Sequence, residues 1–162
     1  MTMHYWTNQQ HSHYWGGHNP IQWQGHHQMF SDHGMNPFVV NIEQASLVNN
    51  TFRTALWTGK HLQVTLMSIG VGEDIGLERH PSTDQFLRIE SGQGIVLMGD
   101  HPNQLTFRQQ VAKNSAIMVP AGKWHNLINT GNSPIKLYSI YAPPEHPFGT
   151  VHRRKADAIA EG

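Results

Sequence analysis

The sequence predicts an all-β domain, an antiparallel sandwich or barrel, behind a low-complexity N-terminal tail. Three observations carry this. From Asn41 onward, short apolar or alternating runs recur at regular spacing. Each is bounded by Gly, Pro, Asn or Asp, the residues that punctuate strands. Almost no helical period lies between them, as expected when strands connect directly to strands. A chain of 162 residues holds one domain with a sizeable core, and is too short for two ordinary ones.

Taken in order, residues 1–40 form the tail. Its most biased part, through Pro37, holds seven of the thirteen histidines and three of the five tryptophans, has no Lys or Arg, and shows no period (HSHYWGGHNPIQWQGHH). Such a composition builds no packed core of its own and reads as disordered or loosely docked. If Met1 is removed, the start Thr2-Met3-His4 offers an amine, two amides and an imidazole, a nitrogen set suited to Cu(II) or Ni(II). A barrel is expected over residues 41–147. It opens with a short helix in IEQASLVNN and continues through strands in TFRTALWT, HLQVTLMSI, DQFLRIES, GIVLMGD, LTFRQQV, SAIMVP, HNLINT and IKLYSIYA. Residues 148–162 form a C-terminal tail, in which KADAIAEG hints at a short, fraying helix.

Composition excludes several functions. Lys plus Arg equals Asp plus Glu, so no net field recruits nucleic acid or an anionic membrane. The absence of cysteine removes disulfides, thiolate metal sites and a Cys nucleophile together, leaving N and O atoms to hold any metal. No signal peptide or membrane-spanning apolar run is apparent, and a cytoplasmic protein is expected.

Chemistry concentrates in GEDIGLERHPSTDQFLRIESG, residues Gly72 to Gly92. Glu78 and His80 are two apart and share one face of a strand. Pro81 to Asp84 supply a turn, with Asp84 belonging to it. On the next strand Gln85, Leu87 and Ile89 share a face that the apolar members mark as interior, so Gln85 points inward beside Glu78 and His80. By the same parity Phe86, Arg88 and Glu90 face outward, to solvent or an interface. A second stretch, NSAIMVPAGKWHNLIN, gives an apolar strand, a Pro-Ala-Gly turn, and His125 opening another strand.

These two stretches resemble the paired motifs of the cupin superfamily, G-x5-H-x-H-x4-E-x6-G and G-x5-P-x-G-x2-H-x3-N. Gly72, Glu78, His80, Gln85 and Gly92 match the first in spacing throughout, and Pro120, Gly122, His125 and Asn129 match the second. Three positions depart: Glu78 stands for the first His, Gln85 for the Glu, and Asn114 for the opening Gly of the second motif. Asn tolerates a left-handed turn nearly as Gly does. Three His and a carboxylate thus become two His, a carboxylate and an amide, and the ligand charge is unchanged.

The resemblance implies a double-stranded β-helix, a jelly-roll barrel, with a divalent transition metal (Fe, Mn, Ni or Zn) held by Glu78, His80, Gln85 and His125. It also implies a homodimer. Small single-domain relatives of the mannose-6-phosphate isomerase-like kind are the most similar, which favours a metal-dependent enzyme of isomerase type acting on a small oxygenated, sugar-like substrate. No general base is identified, and Lys60, Lys123 and Lys136 are too scattered to read as a phosphate clamp. Two alternatives stand beside this: an Fe(II) dioxygenase-type cupin using the two-His, one-carboxylate set, and a noncatalytic metal-binding or structural cupin. The second alternative draws on the tail, which is similar in composition to those of bacterial spore-coat proteins and would make the protein spore-associated.

Overall fold

The computed structural model describes residues 31–160; the Thr2-Met3-His4 start and the first thirty residues of the tail lie outside them. Helix α1 (Ile42–Val48) is followed by strands β1 (Arg53–Thr58), β2 (Gln63–Ile69), β3 (Glu78–Arg79), β4 (Asp84–Ser91), β5 (Gln93–Gly99), β6 (Phe107–Ala112), β7 (Ala116–Val119), β8 (Trp124–Asn129), β9 (Ile135–Ala142) and β10 (Val151–His152), and then by helix α2 (Lys155–Ala160). Every apolar run in the sequence forms a strand. Two antiparallel sheets result, one ordered β10-β1-β2-β9-β4-β7 and the other β3-β8-β5-β6. They face each other as a jelly-roll barrel, as their alternating patterns require.

The inward residues of both sheets build the core, among them Met67, Ile69, Leu87, Ile89, Leu127 and Leu137. Each such side chain contributes about 1.5–3 kcal/mol when fully buried. Asn41 caps α1, its side chain accepting a hydrogen bond from the Gln44 amide at 2.9 Å. The helix buries Ala45 against Leu56 and Leu66 in a second, smaller cluster on the outer face of the larger sheet. Asn114 adopts a φ of 71°, the left-handed turn that its place in the second motif requires.

The ends of the described chain are tied to the barrel. The His33 amide donates to the Leu56 carbonyl at 2.9 Å, and the Asp32 carboxylate accepts from Thr58 Oγ1 and the Gly149 amide. Strand β10 lies past the expected barrel boundary at 147 and pairs with β1, Arg53 opposite His152. One orientation needs correction. Glu90 does not face outward but is 1% exposed, because the β4–β9 register shifts between Ile89 and Ser91. At such a bulge the period of two breaks. Arg88 Nη1 lies 3.3 Å from the enclosed Glu90 Oε1. No helix among the described residues is long and apolar enough to cross a membrane.

Candidate metal centre

Strand pairing brings the two motifs together. Glu78 on β3 stands directly opposite His125 on β8, and His80, two residues on, leaves β3 on the same side. The Pro120-Ala121-Gly122 turn then locks onto the first motif. The Gly122 amide donates to the His80 carbonyl at 2.8 Å, and the Ala121 amide to Asp84 Oδ1 at 2.8 Å. Gly122 has φ +84°, a conformation that a side chain would strain. The fixed spacing of the second motif is therefore the geometry that sets His125 beside His80.

Glu78 Oε1 lies 3.4 Å from His80 Nε2 and 3.3 Å from His125 Nε2, and the ligand atoms of the three residues all fall within 4.8 Å of one another. Both imidazoles are buried. All three converging atoms are enclosed and without a hydrogen-bond partner. The other ring nitrogens explain this. His125 Nδ1 is 3.1 Å from the Lys123 carbonyl, which only accepts, so Nδ1 carries the proton and Nε2 of the neutral ring holds a lone pair. His80 Nδ1 is 3.0 Å from Glu145 Oε1, a carboxylate–histidine pair of the kind that orients metal-ligating rings.

With both rings neutral, three lone-pair atoms meet with no donor among them, and a positive charge, a proton on His80 or a metal ion, resolves their repulsion. Bonds of about 2.0–2.2 Å place adjacent ligand atoms about 3.0–3.5 Å apart, which the two Glu78–imidazole separations satisfy. The donor set suits Fe, Mn, Ni or Zn.

Electrostatics point the same way. Burial raises the Glu78 carboxyl, but the imidazoles of His125 and His80 and the Arg53 charge outweigh it and hold Glu78 well below the usual carboxylate range. Burial lowers the His80 imidazole, and the Glu78 and Glu145 carboxylates more than offset that, leaving it raised. The site attracts positive charge, whether a proton or a metal.

Gln85 is buried on the inner face of β4. Its Nε2 donates to Ser139 Oγ at 3.0 Å, while Oε1 is enclosed with no partner. Fixing the amide nitrogen on Ser139 leaves the oxygen as the free end, the only end able to ligate. Asn129, in the second motif, has a structural role: its Nδ2 donates to the carbonyls of Ile69 and Ser133, and its Oδ1 accepts from Gly131.

Four residues at the centre carry no sequence motif. Tyr141 on β9 packs edge-on to His80 at 5.6 Å between ring centroids, and burial pushes its phenol up. Glu145 and His146 follow β9. Arg53 on β1 is 4% exposed. The Pro143-Pro144-Glu145-His146 segment offers one signal, a carboxylate and an imidazole after a rigid dipeptide, but nothing in it indicates a direction into the barrel.

A cupin domain family matches residues 65–141, the stretch that holds all three converging ligands. An uncharacterised Bacillus subtilis protein, YrkC, is 69% identical over 132 residues, 82% of this chain and 71% of its own. A second relative, the uncharacterised L612 of Acanthamoeba polyphaga mimivirus, is 37% identical over 126 residues, 77% of each chain. Among solved structures, BH2720 of Bacillus halodurans is 64% identical with a TM-score of 0.80, covering 80% of this chain and 98% of that one. A Klebsiella pneumoniae protein with a double-stranded β-helix domain shares the fold at 16% identity and a TM-score of 0.57, over 72% of this chain and 98% of its own. The paired motifs, the jelly-roll topology and these matches together establish that the chain belongs to the cupin superfamily.

Proposed function

We propose that the protein is a metal-dependent enzyme acting on a small oxygenated substrate, with the ion held by Glu78, His80 and His125 and the amide oxygen of Gln85 beside it. The observation that carries this reading is the convergence of three enclosed, unpartnered lone-pair atoms on one point. A two-His, one-carboxylate set leaves coordination positions open to substrate. When bound, the ion would supply Lewis acidity, or, if iron, oxygen chemistry.

The residues around the centre favour oxygen chemistry over isomerisation. Isomerisation moves a proton between carbons and needs a base beside the substrate. Glu145 is engaged with His80 Nδ1, the His146 imidazole is held down to about 3 by burial and the Arg53 charge and is a weak base, and the Tyr141 phenol, pushed up by burial, keeps its proton at neutral pH and serves as a hydrogen-bond donor. Glu145 fixes the His80 ring, Lys123 fixes the His125 ring through its carbonyl, and the apolar wall of Leu87, Val119 and Leu127 excludes water from below.

Open coordination is tested with nitric oxide. Fe(II)-loaded protein, kept anaerobic, is expected to give the electron-paramagnetic signature of a nitrosyl adduct, absent from a His125→Ala variant. Iron bound stoichiometrically at Glu78, His80 and His125 that gives no adduct contradicts the reading. Isomerase-type action on a sugar-like substrate is the second reading, and aldose–ketose interconversion without oxygen uptake would favour it.

A further inference from the structure

The Arg53 guanidinium is out of place for a structural cation. It is 4% exposed, its Nε is enclosed without a partner, and among the described residues no carboxylate pairs with it. His152 Nδ1 lies 3.5 Å from its Nη1 and the Tyr141 hydroxyl lies close enough to feel its charge, but neither is a carboxylate. Leaving a buried charge uncompensated costs several kcal/mol, so a position like this calls for an anion.

Among the described residues no anion is free to pair with it. Arg53 lies close enough to Glu78 to lower its pKa, but the Glu78 carboxylate is turned to the two imidazoles, and Glu145 is committed to His80. The two charges of a divalent ion at the centre match those two carboxylates, and Arg53 remains over. Lys155, on the same cavity, is already paired with Asp74.

Arg53 and Glu78 both line a cavity of about 780 Å³, large enough for a small organic molecule. Ile75, Leu77 and Ile159 provide apolar wall. His146 lines it too, with an enclosed and unpartnered Nε2; burial first, then the Arg53 charge, holds this imidazole down to about 3, so it is neutral and adds no second cation.

Resting on the metal-centre reading above, we infer that the substrate is a small carboxylate whose carboxyl group is bound by Arg53 while its hydroxyl or carbonyl oxygen faces Glu78, His80 and His125. The planar guanidinium fork matches a carboxylate. One uncommitted cation matches a singly charged group, which favours carboxylate over a phosphate dianion.

The test uses the as-purified full-length protein and ligand-observed NMR titration with lactate, lactamide and inorganic phosphate, with metal content measured on the same samples. Lactate and lactamide differ only in the group that Arg53 is inferred to read. Lactate is expected to bind saturably, and lactamide at least about tenfold more weakly, the loss typical of a buried charge pair with one partner removed. Arg53→Gln should lose lactate affinity by a similar factor at unchanged metal content, with Arg53→Lys between the two, and a Lys155→Gln variant should bind lactate as the wild type does. The wild-type comparison of lactate with lactamide stands even if Arg53→Gln fails to fold. Absence of lactate binding, equal binding of lactamide, undiminished binding to Arg53→Gln, or preference for phosphate would each overturn the inference. Metal content separates the two readings: Arg53-dependent lactate binding by protein that holds no metal contradicts the metal centre and leaves the carboxylate subsite standing.

Discussion

Along the inner face of β2 the residues run Ile69, Met67, Thr65, Gln63, and on β9 they are met rank for rank by Ile135, Leu137, Ser139 and Tyr141. Strand β4 beside β9 and β8 in the facing sheet repeat the gradient, with Ile89, Leu87 and Gln85 on β4 and Leu127 then His125 on β8. One end of the barrel interior is apolar and the other polar, on the same strands and at almost the same burial. At the apolar end Asn129 bonds to Ile69, Ser133 and Gly131, and the enclosed Glu90 is ion-paired with Arg88. At the polar end Thr65 Oγ1, Gln85 Oε1, Tyr141 Oη and the three converging ligand atoms have no partner. Since unpaired buried polar groups cost stability, the apolar end holds the fold together, while the polar end carries groups that a bound ion or ligand would satisfy.

Breaking the apolar end should have the largest effect on stability. Leu137→Ala removes a fully buried side chain and is expected to cost about 2–5 kcal/mol in denaturant unfolding, with metal stoichiometry of the folded protein unchanged. Loss of metal from still-folded Leu137→Ala protein would show that the two ends are not separable.

The supporting shell of the polar end comes next. Glu145→Gln removes the carboxylate that orients His80 and is expected to weaken metal binding by about 10–100-fold, measured by competition with a chromogenic chelator, with little change in the metal-free melting temperature. An unchanged affinity would assign Glu145 a role apart from the centre.

A smaller effect, but one of diagnostic sign, is the response to pH. Glu78 is depressed, so its contribution is present above the ordinary carboxyl value of 4.5 and is lost as pH falls. His80 is raised, so its contribution is complete below the ordinary imidazole value of 6.5 and is lost as pH rises through the raised value. Chelator-treated protein should therefore be most stable between those values. Metal competes with protons for the same nitrogen atoms, so saturated protein should instead gain stability as pH rises past 6.5. Parallel profiles of melting temperature with and without metal would contradict the assignment. The smallest effect is expected far from both ends: Lys113→Ala breaks an exposed pair with Glu43 and should change stability by under about 0.5 kcal/mol, with no effect on metal.

Strand positions were legible because antiparallel strands with one face on the core alternate by residue, and the turn residues between them are chemically distinct. Glu78, His80 and His125 were legible because their spacing is fixed by a turn whose Pro120 and Gly122 are visible in the sequence. Other features depend on contacts that no local pattern records. Arg53 alternates with Thr54 in a run where it reads as a solvated strand residue, and only pairing with β10 encloses it. Strand β10 is two residues long, too short for any period. The parity that points Glu90 outward holds only up to the bulge after Ile89. Glu145 gains its meaning from the pairing of β9 with β4, Ala142 opposite Asp84, which brings the residues after β9 beside His80.

The central claim, that the polar end is a metal centre, is tested most directly by elemental analysis of untagged full-length protein beside a His80→Ala, His125→Ala double variant, since the variant retains every histidine of the N-terminal segment. The account predicts about one transition-metal ion per chain more in the wild type than in the folded variant. Equal metal content in the two proteins, after incubation with iron, manganese, nickel or zinc, would contradict it.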